Sequence, residues 1–336
     1  MDLTTDYMGL RLRNPLIASA SPLNGDIGTL RALEDHGAAA VVLPSIFEEQ
    51  ILAERREFEL RTEVPASGFA EAQTYFPPYD GYGFGPVRYL DIVRRAKEAI
   101  GIPVIASLNC MTHEGWIDYA QGLQQAGADA IELNIYFIPT DLAMTGRKVE
   151  QRYLDILRAV KASITISVAV KIGPYFSAMG AMARILAGSG ADALVLFNRF
   201  YEPDIDLIAL QSRPEIELSR PTEIRLGLLW IGVLAGNIRA SLAASTGVDT
   251  VEEVVKYILV GADAVMTTAS LLRHGIGYMA TLVADLAGWL EVRDIGSLGS
   301  IRGKLSRGAS PDPSAFDRAN YIRGLQGYDA ASGAFR

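Results

Sequence analysis

Short apolar runs rich in β-branched residues, each closing on small or polar ones, alternate along the chain with longer stretches of helical period. A run that is apolar at nearly every position suits a strand covered on both faces. The alternation therefore specifies parallel strands joined by crossover helices. The pattern predicts strands at about Pro15–Ser21, Ala39–Ser45, Val104–Asn109, Ala130–Ile135, Ser167–Ile172, Ala193–Asn198, Ser241–Thr246 and Ala264–Thr268. Eight such units in one α/β chain imply a closed (β/α)8 TIM barrel, which takes ~250 residues plus insertions.

Punctuation at the joints supports these units. Gly-Ala-Asp precedes three of the strands, as Gly127–Asp129, Gly190–Asp192 and Gly261–Asp263, and each glycine suits the left-handed turn that ends a helix. Thr250 and Glu253 have capping-box spacing and predict a helix between the last two strands. Two stretches depart from the unit: about 47–87, with Phe76-Pro77-Pro78-Tyr79 and the glycines Gly81, Gly83 and Gly85, and about 201–220, a polar insertion. Insertions that follow barrel strands hang over the mouth, where ligands bind. The glycine triplet neither follows a strand nor opens a helix, so it is not a dinucleotide-binding turn. The stretch after Arg293 reads as peripheral helices. With no shift of composition along the chain, residues 1–336 are expected to form a single domain.

Composition narrows the partners. The 336 residues are 49% hydrophobic and 21% charged, enough apolar material for a large core and unlike a disordered chain. Acidic residues outnumber basic ones by 39 to 31, evenly mixed, for a formal net charge of −8. That balance argues against nucleic acid and anionic membrane surfaces as partners. The most hydrophobic segment, Leu226–Gly236, is roughly half the ~20 residues of a membrane span, and the N-terminus lacks the pattern of a secretory signal. Cys110 is the only cysteine, which excludes an intrachain disulfide, an iron–sulfur ligand set and a structural zinc cluster. A reducing, cytoplasmic location is the expectation.

The C-terminal ends of barrel strands face the mouth. Here they carry Ser19, Ala20, Ser45, Asn109, Cys110, Asn134, Lys171, Asn198, Ser245–Gly247, Thr267 and Thr268. Amides, hydroxyls and one lysine converge, with no histidine or carboxylate among them. Such a set orients a flat polar molecule and an anion but holds no metal site. Lys171 closes a buried strand, and its ammonium either meets negative charge developing on a cofactor such as a reduced flavin or snorkels to solvent. Ser245–Gly247 and Thr267–Thr268 stand where barrels of this kind bind phosphate, although small polar residues also make plain turns. Asn134 and Asn198 either face a ligand or cap the next helix. Cys110 is a thiol at the mouth or a small buried hydrophobe, with His113 close behind it.

These residues sit in motifs that resemble the FMN-dependent dihydroorotate dehydrogenases and the flavin domain of dihydropyrimidine dehydrogenases. Tyr7–Ser21 (YMGLRLRNPLIASAS) is similar to the family's G-x-x-x-x-N-P-x-x-x-A-S-G, and Val170–Phe176 (VKIGPYF) to its V-K-x-P-P-Y-F. Asn134, Asn198, Ser245–Gly247 and Gly261–Val265 extend the match over most of the chain. The resemblance implies FMN at the mouth. Ser19, Ala20, Ser45, Asn134 and Lys171 would hold its ring, with Asn198 alongside. Thr246, Gly247, Thr267 and Thr268 would hold the phosphate, with threonine where the family has glycine at the second pair. Asn134 and Asn198 would also face the substrate.

The departures bear on the substrate. Where the family has N-x-S-C-P-N, whose cysteine or serine removes the substrate proton, this chain has Asn134-Ile135-Tyr136-Phe137-Ile138-Pro139. Phe137 stands at the position of the base and accepts no proton. Pro139 stands at a substrate amide, Pro44 replaces a family lysine, and the long second loop shows no counterpart of a substrate-binding asparagine. Replacement acids or bases would come from Cys110, Tyr136, His113 or the insertions. The expectation is an FMN-dependent oxidoreductase acting on CH–CH groups, exchanging a hydride between flavin and a small planar polar substrate. A genuine dihydroorotate or dihydropyrimidine dehydrogenase with a relocated base, and a non-catalytic flavin-binding or electron-relay subunit, are the alternatives. Expected partners are the small-molecule substrate and a separate electron-transfer protein, with a homodimer left open.

Overall fold

Each apolar run folds as a strand. In the computed structural model, which describes residues 1–49, 86–109, 112–213, 215–310, 313–316, 318–329 and 334–335, these are β1 (Leu16–Ala18), β2 (Ala40–Val42), β3 (Val104–Asn109), β4 (Ala130–Asn134), β5 (Ser167–Ile172), β6 (Ala193–Leu196), β7 (Ser241–Ala244) and β8 (Ala264–Thr267). They pair in parallel in the order β2-β1-β8-β7-β6-β5-β4-β3, and β3 pairs back onto β2. The sheet is thus a closed TIM barrel. Helices α1 (Ile27–Asp35), α2 (Pro86–Ala99), α3 (His113–Gln125), α4 (Gly146–Ser163), α5 (Met179–Gly188), α6 (Ile224–Leu234) and α7 (Val251–Val260) each follow the strand of the same number. A short helix, Ala269–His274, and then α8 (Tyr278–Glu291) follow β8.

Several strands are shorter than their patterns, Leu16–Ala18 against Pro15–Ser21 among them, and the second is interrupted. Pairing of the second strand stops at Val42 and resumes only at Ile46–Phe47, which pairs with the upper end of β3. Pro44 lies in the gap and has no N–H to give a ladder. Its carbonyl instead accepts the Tyr89 hydroxyl at 2.6 Å.

The three Gly-Ala-Asp joints share one device. Gly127, Gly190 and Gly261 take φ of +98°, +105° and +115°, the left-handed turn that ends a helix. The aspartate then reaches sideways to the foot of the neighbouring strand. Asp129 accepts the N–H of Val104, Asp192 that of Val168 and Asp263 that of Leu242, each at 2.7 Å. A cation closes each joint: Lys97 on Asp129, Lys161 on Asp192 and Arg302 on Asp263. Each carboxylate therefore fixes the relative height of two parallel strands.

Strand parity divides the core in two. Ile131, Leu133, Val168 and Val170 face the helices, whereas Ala130, Ala169, Ala193, Ala243 and Ala264 face the axis. Small axial residues leave room for a plug, and the hairpin Thr5–Tyr7/Leu10–Leu12 supplies it with buried Tyr7, Met8 and Leu12. The bottom of the barrel is closed and its chemistry is confined to the other end. Thr250 and Glu253 form the expected capping box of α7. Among the described residues no helix is long and apolar enough to cross a membrane.

The insertion at about 201–220 is not polar throughout. It forms the hairpin Asp204–Asp206/Gln211–Arg213, whose turn exposes Leu207, Ile208 and Leu210. Of the insertion at about 47–87, residues 50–85 lie outside the described residues. After Arg293 come short turns and the helix Arg318–Gln326.

Candidate active site

The parity that points alanines at the axis also points Glu132 and Asn134 of β4, and Lys171 of β5, inward. The register sets Asn134 beside Lys171. A line of polar side chains crosses the mouth. Ser45 Oγ lies 2.7 Å from Ser107 Oγ, Asn134 Nδ2 donates to Ser45 Oγ at 3.2 Å, and Asn198 Nδ2 donates to Asn134 Oδ1 at 2.5 Å. Four strand ends thus hold their amides and hydroxyls in one arrangement.

Lys171 does not snorkel to solvent. It is 8% exposed, and its Nζ lies 3.5 Å from Oε1 of fully buried Glu132. Burying an ammonium is tolerable only beside a compensating charge. Glu132 corrects the expectation that the strand ends converge without a carboxylate. It sits on β4 two residues below Asn134, inside the barrel rather than at its lip. The signal was present in the alternation Ala130, Glu132, Asn134, which places all three on one face. The second Glu132 oxygen and the Tyr7 hydroxyl have no hydrogen-bond partner among the described residues. Burial, and secondarily the charge of Glu132, push the Tyr7 phenol well above its ordinary range.

Ser19, Ala20, Lys171, Asn198, Thr246, Gly247, Thr267 and Thr268 line one cleft of about 270 Å³. A second cleft of about 250 Å³ shares Phe197, Asn198, Arg199, Ser245 and Thr246 with it, so the two form a continuous trough. Asn134 and Ser45 line neither cleft but are linked to the trough by the hydrogen bonds through Asn198.

In the cleft that Lys171 lines, Gly247 takes φ +73°, and a Cβ there would stand 2.7 Å from Ile224 Cγ2 and 2.8 Å from the Arg220 carbonyl. Only glycine fits that approach. Its N–H donates to Ser219 Oγ at 3.1 Å. The neighbouring hydroxyls are also committed: Thr246 to the Phe197 carbonyl, Thr267 to the Val248 carbonyl and Thr268 to the Ser19 carbonyl, at 3.0–3.1 Å. A hydroxyl has one proton. An anion received here therefore meets the Gly247 N–H only by displacing the Ser219 hydroxyl, and finds no threonine proton free.

The replacement acid–base candidates are placed as follows. The Tyr136 hydroxyl accepts the N–H of Tyr201, tying the β4 loop to the insertion after β6, and its ring lies 4.8 Å from that of Phe200. Phe137 lies under the Arg152 guanidinium at 4.4 Å. Cys110 and the His113 side chain lie outside the described residues. No group of three or more histidine, cysteine, aspartate or glutamate side chains that could hold a metal occurs among the described residues.

No family model matches the chain. Similarity to individual proteins runs over most of its length. A dihydroorotate dehydrogenase B (NAD(+)) catalytic subunit of Thermoplasma acidophilum is 26% identical over 299 residues, 86% of this chain and 94% of that protein. The subunit of the same name in Methanocella arvoryzae is 27% identical over 300 residues, 88% of this chain and 95% of that protein. The chain is an oxidoreductase similar to the dihydroorotate dehydrogenases. The likeness extends to the NAD-dependent dihydropyrimidine dehydrogenase subunit PreA of Escherichia coli, 22% identical over 332 residues, 92% of this chain and 78% of that protein. In this chain the segment Asn134–Pro139 has the strand-end amide, and aromatic residues, Tyr136 and Phe137, begin two positions beyond it.

Proposed function

We propose that residues 1–336 are one FMN-binding domain that exchanges a hydride between flavin and a small planar polar substrate. The observation that carries this reading is the buried Lys171 amine beside the Ser45–Asn134–Asn198 chain, in a cleft that the Gly247 turn also lines. Those residues suit the group. The amine presents positive charge to a ring that becomes anionic on reduction, the amides match ring carbonyl and imide edges, and the turn accepts a phosphate at the Gly247 N–H once the Ser219 hydroxyl is displaced. When bound, FMN supplies the two-electron chemistry. The protein's share is to hold the Lys171 amine against Glu132 and to hold the Asn134 amide by its bonds to Ser45 and Asn198.

Phe137 gives the β4 loop no proton acceptor where the dihydroorotate enzymes carry one, so dihydroorotate is not the substrate this reading favours. The names of the relatives favour a second reading, a genuine dihydroorotate or dihydropyrimidine dehydrogenase with its base elsewhere. Anaerobic mixing of the flavin-loaded protein with dihydroorotate, dihydrouracil and a panel of substituted dihydropyrimidines separates the two. Bleaching by a substituted member of the panel but by neither dihydroorotate nor dihydrouracil supports the first reading. Rapid bleaching by dihydroorotate or dihydrouracil establishes the second, and bleaching by none of them leaves an electron-relay subunit. The relatives are named as subunits, which supports a separate electron-transfer partner, and the low cysteine content supports a cytoplasmic location.

A further inference from the structure

Beside the trough lies a cavity of about 300 Å³ that the reading above does not use. Its walls come from the loops after β4, β5 and β6 and from α4, chiefly Phe137, Ile138, Phe176, Phe200, Val149 and Tyr153. Two polar groups beside it are committed elsewhere, and the carboxylate of Glu202 stands at its edge. The Tyr153 hydroxyl donates to the Ile135 carbonyl at 2.9 Å, and the Arg152 guanidinium is spent on the ring of Phe137. Ring packing holds the walls in place. Phe200 lies against Gly173, where an added Cβ would come within 2.9 Å of the ring, and Tyr153 meets Phe176 edge-on at 5.2 Å. The cavity opens at Ile138 and Tyr175, which are 42% and 67% exposed.

The cavity also begins where the polar floor stops. Phe137 follows Asn134 by three positions, Gly173 follows Lys171 by two, and Phe200 follows Asn198 by two. Tyr175, Phe200 and Glu202 line both the cavity and the nearer cleft of the trough.

We propose that this cavity receives an apolar group of one to two rings carried by the substrate, whose polar ring lies over Asn134, Asn198 and Lys171. The position of the polar half rests on the flavin reading; the apolar half does not. A dry apolar cavity of ~150 Å³ binds benzene, so this one has room for a bicyclic or branched group. Its aromatic walls favour a ring edge or face. A carboxylate entering it would lose its hydration against phenylalanine and isoleucine with Glu202 nearby, which selects against an acidic substituent. The substrate is therefore amphipathic, a polar heterocycle with an apolar arm.

Two measurements test this. Calorimetric titration of the purified chain with indole needs no flavin and is expected to give a dissociation constant of about 1 mM or tighter. V149W and I138W fill the cavity from different walls, and at least one folded variant is expected to bind indole about tenfold more weakly than wild type. In the FMN-loaded protein, the flavin absorbance shift should report 5-benzyluracil binding at least about tenfold more tightly than uracil, with the difference lost in the same variant. Absence of indole binding by wild type, indole binding unchanged in the folded filled variants, or uracil binding as tightly as 5-benzyluracil would overturn the proposal. A chain that retains no FMN but binds indole in this way sinks the flavin reading and leaves the apolar site standing.

Discussion

Lys171 and Glu132 are buried because each has the other. Replacing Glu132 by Gln leaves an ammonium inside the barrel without its counter-charge, with an expected cost of about 3–5 kcal/mol in urea unfolding, and Lys171→Met should cost about as much for the opposite reason. The double variant should cost less than the sum of the two, and strict additivity would show that the pair is not coupled. Tyr153 gives a prediction in pH. Burial pushes its phenol from 10.0 up to about 12, so the folded state prefers the neutral form. That stability is fully present below pH 10, where the unfolded chain is still protonated, and is lost as pH rises through about 12; the shift corresponds to roughly 3 kcal/mol. Urea midpoints at about pH 9 and about pH 11.5 should therefore differ less in Tyr153→Phe than in wild type, because the other buried tyrosines remain in both. At this scale the site was partly legible. Asn134, Lys171 and Asn198 end apolar runs and stand out, whereas Glu132 sits within one and is exposed only by counting alternate positions along β4.

At the level of the element, the aspartates of the Gly-Ala-Asp joints set strand against strand. Asp192→Ala removes the acceptor of the Val168 N–H and the partner of Lys161, and should destabilise the barrel by about 1–3 kcal/mol. Hydrogen exchange at the Val168 amide should accelerate beyond what the global loss explains, and an unchanged amide would refute the strand-fixing role. Gly247→Ala forces a Cβ into Ile224 and the Arg220 carbonyl at a positive φ, and is expected to lower both stability and FMN retention. Strand and helix positions were readable because buried parallel strands are apolar at successive positions. The aspartate bonds were not, since each joins residues 21–25 apart in sequence and only the closed sheet makes them neighbours. The break at Pro44 follows from a missing donor, yet the resumption of pairing at Ile46 depends on the partner strand.

For the molecule as a whole, repeated alternation was enough to read a barrel, because eight parallel units with covered faces have few other ways to bury their strands. The plug at its foot was not readable. The N-terminal hairpin is short, and its role follows from the small residues that β4 to β8 turn to the axis. Nor was the apolar cavity beside the trough, which gathers residues from three loops and a helix. What unites these features is a closed lower end, a polar floor and an anion-shaped turn at the open end, and the claim that they serve FMN is open to direct trial. The chain should be mixed with excess FMN, desalted and examined by visible absorbance, beside Lys171→Ala treated identically. The wild-type chain should emerge carrying one FMN, freed on heating, and the variant should retain markedly less. A wild-type chain that emerges colourless, or a variant that holds flavin as firmly as wild type, would contradict this account.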